Sequence, residues 1–115
     1  MAGRLHDKRV MVTGAAQGIG LSIAEVFLAE GASLFLIDRD RDLLAAEAER
    51  LRATGGKIGH ATADITDAEA IERAVAAATR EIGRPNALVN NAGANVFFEP
   101  LKLSDADWER CFDIN

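Results

Sequence analysis

The residue types and segments that are scarce in this chain exclude several classes of protein. It has one cysteine, Cys111, which excludes an intrachain disulfide and a zinc site built from several cysteines. Its net charge of −5 at pH 7 argues against a nucleic-acid partner, because phosphate binding needs a concentrated basic surface. His6 and His60 have no partner at ligand spacing, so we expect no metal site. No stretch approaches the ~20 apolar residues of a membrane span, and the N-terminus lacks an apolar signal-peptide core. We therefore expect a cytoplasmic protein without a membrane partner.

Four short apolar runs alternate with amphipathic segments. The runs are residues 10–12, 34–37, 58–63 and 87–89. Strands that are apolar on both faces belong to a sheet that helices cover on both sides. The alternation predicts βαβ units with right-handed crossovers, and therefore a parallel sheet. We expect residues 1–115 to form the dinucleotide-binding part of one α/β domain. Its fold is a Rossmann-like, doubly wound sheet of order 3-2-1-4, incomplete because that architecture needs two further strands.

The segments between the runs have helical periodicity. Helices are expected over residues 18–30, ended by Gly31, and over residues 40–53, ended by the glycines at 55 and 56. A third begins with Thr66 and Glu69 as a capping box, and a fourth begins at Ser104. In chain order, the apolar stripes are Ile19, Ile23 and Phe27; Leu44, Ala48 and Leu51; Ala68, Ile71, Val75, Ala78 and Ile82; and Trp108, Cys111 and Phe112.

A glycine-rich turn joins the first run to the first helix. Residues 13–20 read TGAAQGIG. Glycines at this point let a phosphate approach bare backbone and let the helix pack close to the sheet. The helix N-terminus then offers N–H groups and a positive dipole end to a pyrophosphate. A plain turn with incidental glycines is the alternative, whereas a P-loop is excluded because no Gly-Lys-Ser/Thr follows. The turn predicts dinucleotide binding.

Asp38 ends the second run, where a carboxylate can accept hydrogen bonds from the adenine ribose hydroxyls. A carboxylate there repels a 2′-phosphate and so selects NAD over NADP. Arg39 leaves NADP open, because an arginine can pair with that phosphate. Ala15 and Gln17 add no positive charge to help it, so we expect NAD. The alternative for Asp38 is a residue that only shapes the turn after the strand.

The order and spacing of these motifs resemble the short-chain dehydrogenase/reductase family over the whole chain. Residues 13–20 resemble its cofactor turn. The pair at residues 64–65 (DI) follows the third run, and residues 90–93 (NNAG) follow the fourth. Residues 113–115 (DIN) resemble the segment that carries an asparagine of the family's catalytic tetrad.

The resemblance implies a role for each matching residue. Asp64 and Ile65 would bracket the adenine ring, Asn90 would steady the sheet, and Asn115 would be catalytic. The cofactor-binding residues that follow are Gly14, Gln17, Gly18, Ile19, Gly20, Asp38, Asp64, Ile65, Asn90, Ala92 and Gly93.

Spacing also bears on Asn115. Trp108, Phe112 and Asn115 recur at i, i+4 and i+7, so the amide is expected on the apolar stripe, where a buried polar group needs partners. Holding a water or a lysine is the functional interpretation. A satisfied core amide is the alternative.

One departure from the family is decisive for activity. The family's Tyr-x-x-x-Lys pair performs the proton transfer, and this sequence contains no tyrosine. We expect the N-terminal part of a homo-oligomeric, NAD-dependent oxidoreductase that acts on a small-molecule alcohol or ketone, with the 115-residue chain itself inactive. Residues 94–103 favour a sugar or polyol over a 3-oxoacyl substrate. A non-catalytic nucleotide-binding module, or the remnant of a disrupted gene, is the alternative.

Overall fold

The computed structural model describes residues 3–93, 102 and 104–115. The stretch that favours a sugar or polyol substrate lies, apart from residue 102, outside the described residues. Strands and helices alternate throughout. In chain order they are β1 Arg9–Thr13, α1 Gly18–Ala29, β2 Ser33–Asp38, α2 Arg41–Arg52, β3 Ile58–Thr62, α3 Ala68–Ile82, β4 Ala87–Val89 and α4 Asp105–Ile114.

All strand pairs are parallel, and the strand order is β3-β2-β1-β4. Val10 of β1 lies opposite Leu34 of β2 on one side and Ala87 of β4 on the other. The predicted α/β fold and its 3-2-1-4 order are confirmed. Within the described ranges, no helix combines the length and apolar character needed to cross a bilayer.

Helices cover both faces of the sheet because alternate strand residues point to opposite sides. On one face, Leu34 and Leu36 pack with buried residues of α1 and α2. On the other, Met11, Phe35 and Ile37 pack with buried residues of α3. Both layers exclude water from the centre of β2, as its apolar run predicts.

The apolar stripe predicted for α1 is wrong at its first position. Ile19 is 73% exposed, whereas Gly20 and Ala24 are buried against the sheet. Small residues on that face let the helix approach the strands closely, which turns the bulkier Ile19 outward. Phe27 does pack against the core. The buried face is therefore displaced from the one that bulky residues alone indicate.

The stripe of α2 is confirmed, and that of α3 is confirmed only in part. The buried residues of α2 are Leu44, Ala48 and Leu51. On α3 the buried residues are Ala74, Ala78 and Ile82, while Val75 is 43% exposed. Both helices thus present mostly small or aliphatic side chains to the sheet.

The capping box predicted at Thr66 and Glu69 is also wrong. The N-cap of α3 is Asp67, whose carboxylate accepts a hydrogen bond from the Ala70 N–H at 3.2 Å. Thr66 is engaged elsewhere, because its N–H and hydroxyl both donate to Asp64. At α4, in contrast, the predicted start holds, since the Ser104 hydroxyl accepts from a backbone N–H in the first turn at 3.1 Å.

Candidate cofactor site

A cavity of about 260 Å³ lies at the carboxyl-terminal edge of the sheet. Strand β1 is central there, with β2 and β4 on opposite sides, so this is the topological switch point where ligands bind in doubly wound sheets. The cavity brings together residues predicted from widely separated motifs. Those that line it are Gly14, Gln17, Asp38, Asp64, Ile65, Ala92 and Gly93.

The other predicted residues lie next to this cavity or under it. Gly18 and Ile19 line a shallow apolar groove on the outer face of α1. Gly20 is buried beneath the glycine turn. Asn90 and Asn115 line a neighbouring cavity of about 750 Å³, beside β4. The predicted set therefore divides between a compact group at the switch point and members on its flanks.

The glycine turn has a shape that side chains would prevent. Gly14 and Gly18 adopt φ values of +64° and +60°, in the left-handed region that favours glycine. A Cβ on Gly20 would lie 2.2 Å from the Gly14 carbonyl oxygen. Within the described residues, the N-cap Gln17 makes no side-chain capping bond, so the first N–H groups of α1 keep the positive partial charge that favours a phosphate. The turn fits a dinucleotide pyrophosphate.

The turn is joined to the end of β4 by hydrogen bonds that the sequence motifs do not predict. The Thr13 hydroxyl accepts from the N–H groups of Asn91 and Ala92, each at 3.0 Å. The Asn91 side chain donates to the Gly14 carbonyl at 3.1 Å. Asn91, the neighbour of Asn90, thus joins the end of β4 to the glycine turn. Thr13 could have been found, because a buried hydroxyl at the end of an apolar strand needs partners.

Asp38 is fixed by the backbone on both sides of it. One carboxylate oxygen accepts from the Ala16 N–H in the glycine turn at 3.0 Å. The other accepts from the Asp40 N–H at 3.0 Å. The second contact matches the turn-shaping alternative, and the first holds the carboxylate beside the glycine turn. Asp38 therefore shapes the chain after β2 and also places a negative charge at the cavity.

Asp64 lies in the same cavity lining, after the end of β3. Its Oδ1 accepts from the Thr66 N–H at 2.9 Å and from the Thr66 hydroxyl at 2.7 Å. These bonds lower the pKa of the Asp64 carboxyl, and the positive charges of Arg39 and Arg110 lower it further. The carboxylate is therefore held in its charged form and in a fixed orientation.

Asn115 is exposed, so its predicted burial on an apolar stripe is wrong. Trp108 and Phe112, the other members of that stripe, are 58% and 70% exposed. The stripe is not covered by the described residues, although its spacing is that of a packed helix face. The Asn115 amide donates to the Cys111 carbonyl at 2.9 Å, and a Cβ on Gly93 would lie 2.7 Å from its Oδ1. The amide thus lies against the cofactor cavity at Gly93.

The chain is similar to known proteins over nearly its whole length. The family model described as short chain dehydrogenase matches residues 8–115. Cyclopentanol dehydrogenase of Comamonas sp. is 36% identical over 113 residues, which cover 98% of this chain and 45% of that protein. Galactitol 2-dehydrogenase (L-tagatose-forming) of Cereibacter sphaeroides is 39% identical over 112 residues, 97% of this chain and 43% of that protein.

A solved structure shows the same fold with a bound cofactor. It is a short chain dehydrogenase/reductase from Burkholderia phymatum in complex with NAD, which superimposes with a TM-score of 0.88 at 30% identity. The match covers 95% of this chain and 39% of that one. The chain thus spans less than half the length of each of these three proteins. It belongs to the short-chain dehydrogenase family.

Proposed function

We propose that the protein is an oxidoreductase that uses NAD to interconvert a small-molecule alcohol and its ketone, and that this chain supplies the cofactor side of the site. The observation that carries the proposal is the Asp38 carboxylate, held at the cavity by the Ala16 N–H of the glycine turn. Cyclopentanol dehydrogenase and galactitol 2-dehydrogenase act, by their names, on alcohols. The chain covers less than half of these relatives, so the activity of the whole protein is part of the proposal.

The residues of the cavity suit the parts of NAD. Asp38 would accept hydrogen bonds from the adenine ribose, while Asp64 and Ile65 would bracket the adenine ring. The N–H groups at the start of α1 would hold the pyrophosphate. Gly93 lies beside Asn115, so the nicotinamide end would be directed toward that amide. NAD, when bound, supplies the carbon that accepts or releases the hydride.

Asn115 would act in this scheme by holding a water or a lysine near the substrate. General acid–base catalysis needs a positioned group whose pKa suits the working pH, and in the family that group is a tyrosine. The 115 residues contain none. The chain alone therefore binds cofactor in this proposal, and the proton transfer requires residues that it does not contain.

We expect the purified 115-residue chain to give no NADH from NAD and a panel of secondary alcohols, sugars and polyols. The same residues extended to the length of their relatives, with Tyr-x-x-x-Lys, should give turnover. Clear turnover by the 115-residue chain would contradict the division of roles. A non-catalytic nucleotide-binding module is the second candidate. The reading frame after codon 115 discriminates, because an open frame with Tyr-x-x-x-Lys supports the enzyme and an immediate stop supports the module.

Cofactor preference provides the direct test of Asp38. Asp38→Ala should weaken NAD binding by about 1.5–3 kcal/mol, the scale of hydrogen bonds to charged groups. It should also improve NADP relative to NAD, because Arg39 lines the same cavity. Calorimetric titration of both cofactors measures the two dissociation constants. Asp42→Ala, an exposed charge-matched variant in the first turn of α2, should change neither. The assignment of Asp38 fails if the NADP/NAD affinity ratio does not rise.

A further inference from the structure

We propose that Asp64 is a second determinant of cofactor preference, and that it acts by engaging the positive charge of Arg39 and so withholding it from a 2′-phosphate. The inference rests on the proposed function, since it concerns the same NAD site. It assigns Asp64 an electrostatic role toward another residue of the protein, in addition to any contact with the adenine ring.

The sheet brings the two side chains to one edge. Asp38 at the end of β2 pairs in parallel register with Thr62 at the end of β3. The Ala63 N–H donates to the Asp38 carbonyl at 3.0 Å, which continues the pairing past the strands. Arg39 and Asp64 are the residues that follow on the two chains, and both line the 260 Å³ cavity.

The two carboxylates of the cavity differ in how they are satisfied. Asp38 uses both oxygens to accept backbone N–H groups. Among the described residues, the hydrogen bonds that the Asp64 carboxylate accepts come from Thr66 and end on Oδ1. After those bonds, the charge of Arg39 is the next favourable influence that lowers the pKa of Asp64. Asp64 is therefore the carboxylate whose remaining oxygen can interact with a guanidinium.

Arg39 is the cation for which a 2′-phosphate would compete. Among the described residues that line the cavity, it carries the only positive charge. The ion pairs in the described part of the chain involve other arginines, at positions 4, 41, 50 and 52. Its attraction to Asp64 therefore acts through space, without a direct ion pair among the described residues. A phosphate must overcome that attraction as well as the repulsion from Asp38.

The experiment is a double-mutant cycle on the full chain, with calorimetric dissociation constants for NAD and NADP. Asp64→Asn keeps an oxygen to accept from Thr66 but removes the charge. It should raise the NADP/NAD affinity ratio by about two- to fivefold, the scale of an exposed charge pair. In the Arg39→Gln background, Asp64→Asn should leave the ratio unchanged. Using the ratio cancels any loss of adenine contact that affects both cofactors equally.

Controls separate this inference from the function on which it rests. Glu69→Gln removes an exposed charge from the first turn of α3 and should not change the ratio. Asp64→Ser offers Thr66 a different oxygen and should reproduce the Asp64→Asn result if that variant misfolds. An unchanged ratio in both Asp64 variants, or an equal rise in the Arg39→Gln background, overturns the inference while NAD binding stands. If the unmutated chain binds neither cofactor, the proposed function itself fails.

Discussion

Strands β2 and β4 each contain an apolar run, yet the two runs differ in how well their side chains are covered. In β2, Phe35 and its apolar neighbours are at most 1% exposed. In β4, Leu88 is 58% exposed, and on the following helix Phe112 is 70% exposed. Strand β2 pairs with a strand on each side, whereas in the described residues β4 pairs only with β1. An apolar run therefore indicates that a strand can be buried, while its neighbours decide whether it is.

The largest expected effect is a difference in stability between two phenylalanine substitutions, one in each region. Phe35→Ala should lower the free energy of unfolding by about 3–5 kcal/mol, because it leaves a cavity in the packed layer against α3. Phe112→Ala should cost below about 1 kcal/mol, since it loses mainly the contact with Trp108, whose ring centroid is 5.1 Å away. Urea unfolding followed by circular dichroism measures both. Equal losses would mean that α4 is as well packed as the sheet.

The next prediction concerns self-association through the exposed β4 side. Unpaired apolar strand edges pair with other chains, so we expect the 115-residue chain to associate or to unfold with poor cooperativity. Leu88→Lys should increase the monomer fraction several-fold. Val26→Lys on α1 is the control, because Val26 is 57% exposed but lies away from the edge. Size-exclusion with light scattering across a dilution series reports the result. A monodisperse monomer with a sharp thermal transition, before any substitution, would contradict it.

The smallest effect lies at Asp64, an exposed residue that follows β3 at the opposite end of the strand order from β4. The pKa of its carboxyl is lowered on folding, first by the hydrogen bonds from Thr66. A lowered pKa stabilises the folded state fully above the unfolded pKa, and this stabilisation disappears as the pH falls through the folded pKa. The stability difference between wild type and Asp64→Asn should therefore be constant above about pH 5 and shrink below the unfolded pKa of ~3.9. Urea unfolding from pH 3 to 6 measures it. Thr66→Val should reduce the same pH dependence, and a difference independent of pH would refute the assignment.

The sequence predicted the fold well where periodicity and burial coincide. The predicted stripe of α2 and the predicted order of the strands are correct, because the helices and strands that bury these apolar residues belong to this chain. The pattern misled at Ile19, since close packing of Gly20 and Ala24 on the sheet outweighed side-chain size. Periodicity reports where bulky side chains recur, and it is insensitive to contacts made by small ones.

Local polar chemistry was harder to predict than the positions of the motifs. Thr66 has a residue type and position typical of an N-cap. In the structure, however, its hydroxyl donates to Asp64, and Asp67 is the N-cap. Asn90 and Asn91 have the same side chain, so only the side to which each one points decides which of them reaches Gly14. The predicted site residues of the cavity lining were nonetheless brought together, because strand ends meet at one edge of a parallel sheet whatever the details of each turn.

The bond between Asn91 and Gly14 has a consequence for how the site comes into being. It joins residues that lie 77 positions apart in the sequence, and the pairing of β1 with β4 beside it also joins distant parts of the chain. Contacts of that separation carry a large loop-closure entropy and are slow to form compared with local ones. The glycine turn thus reaches its final shape only once β4 has docked beside β1, after most of the chain has been synthesised. A nucleotide that binds the finished turn would favour the docked strand by mass action, so cofactor should act as a folding ligand for the most weakly covered strand of the sheet.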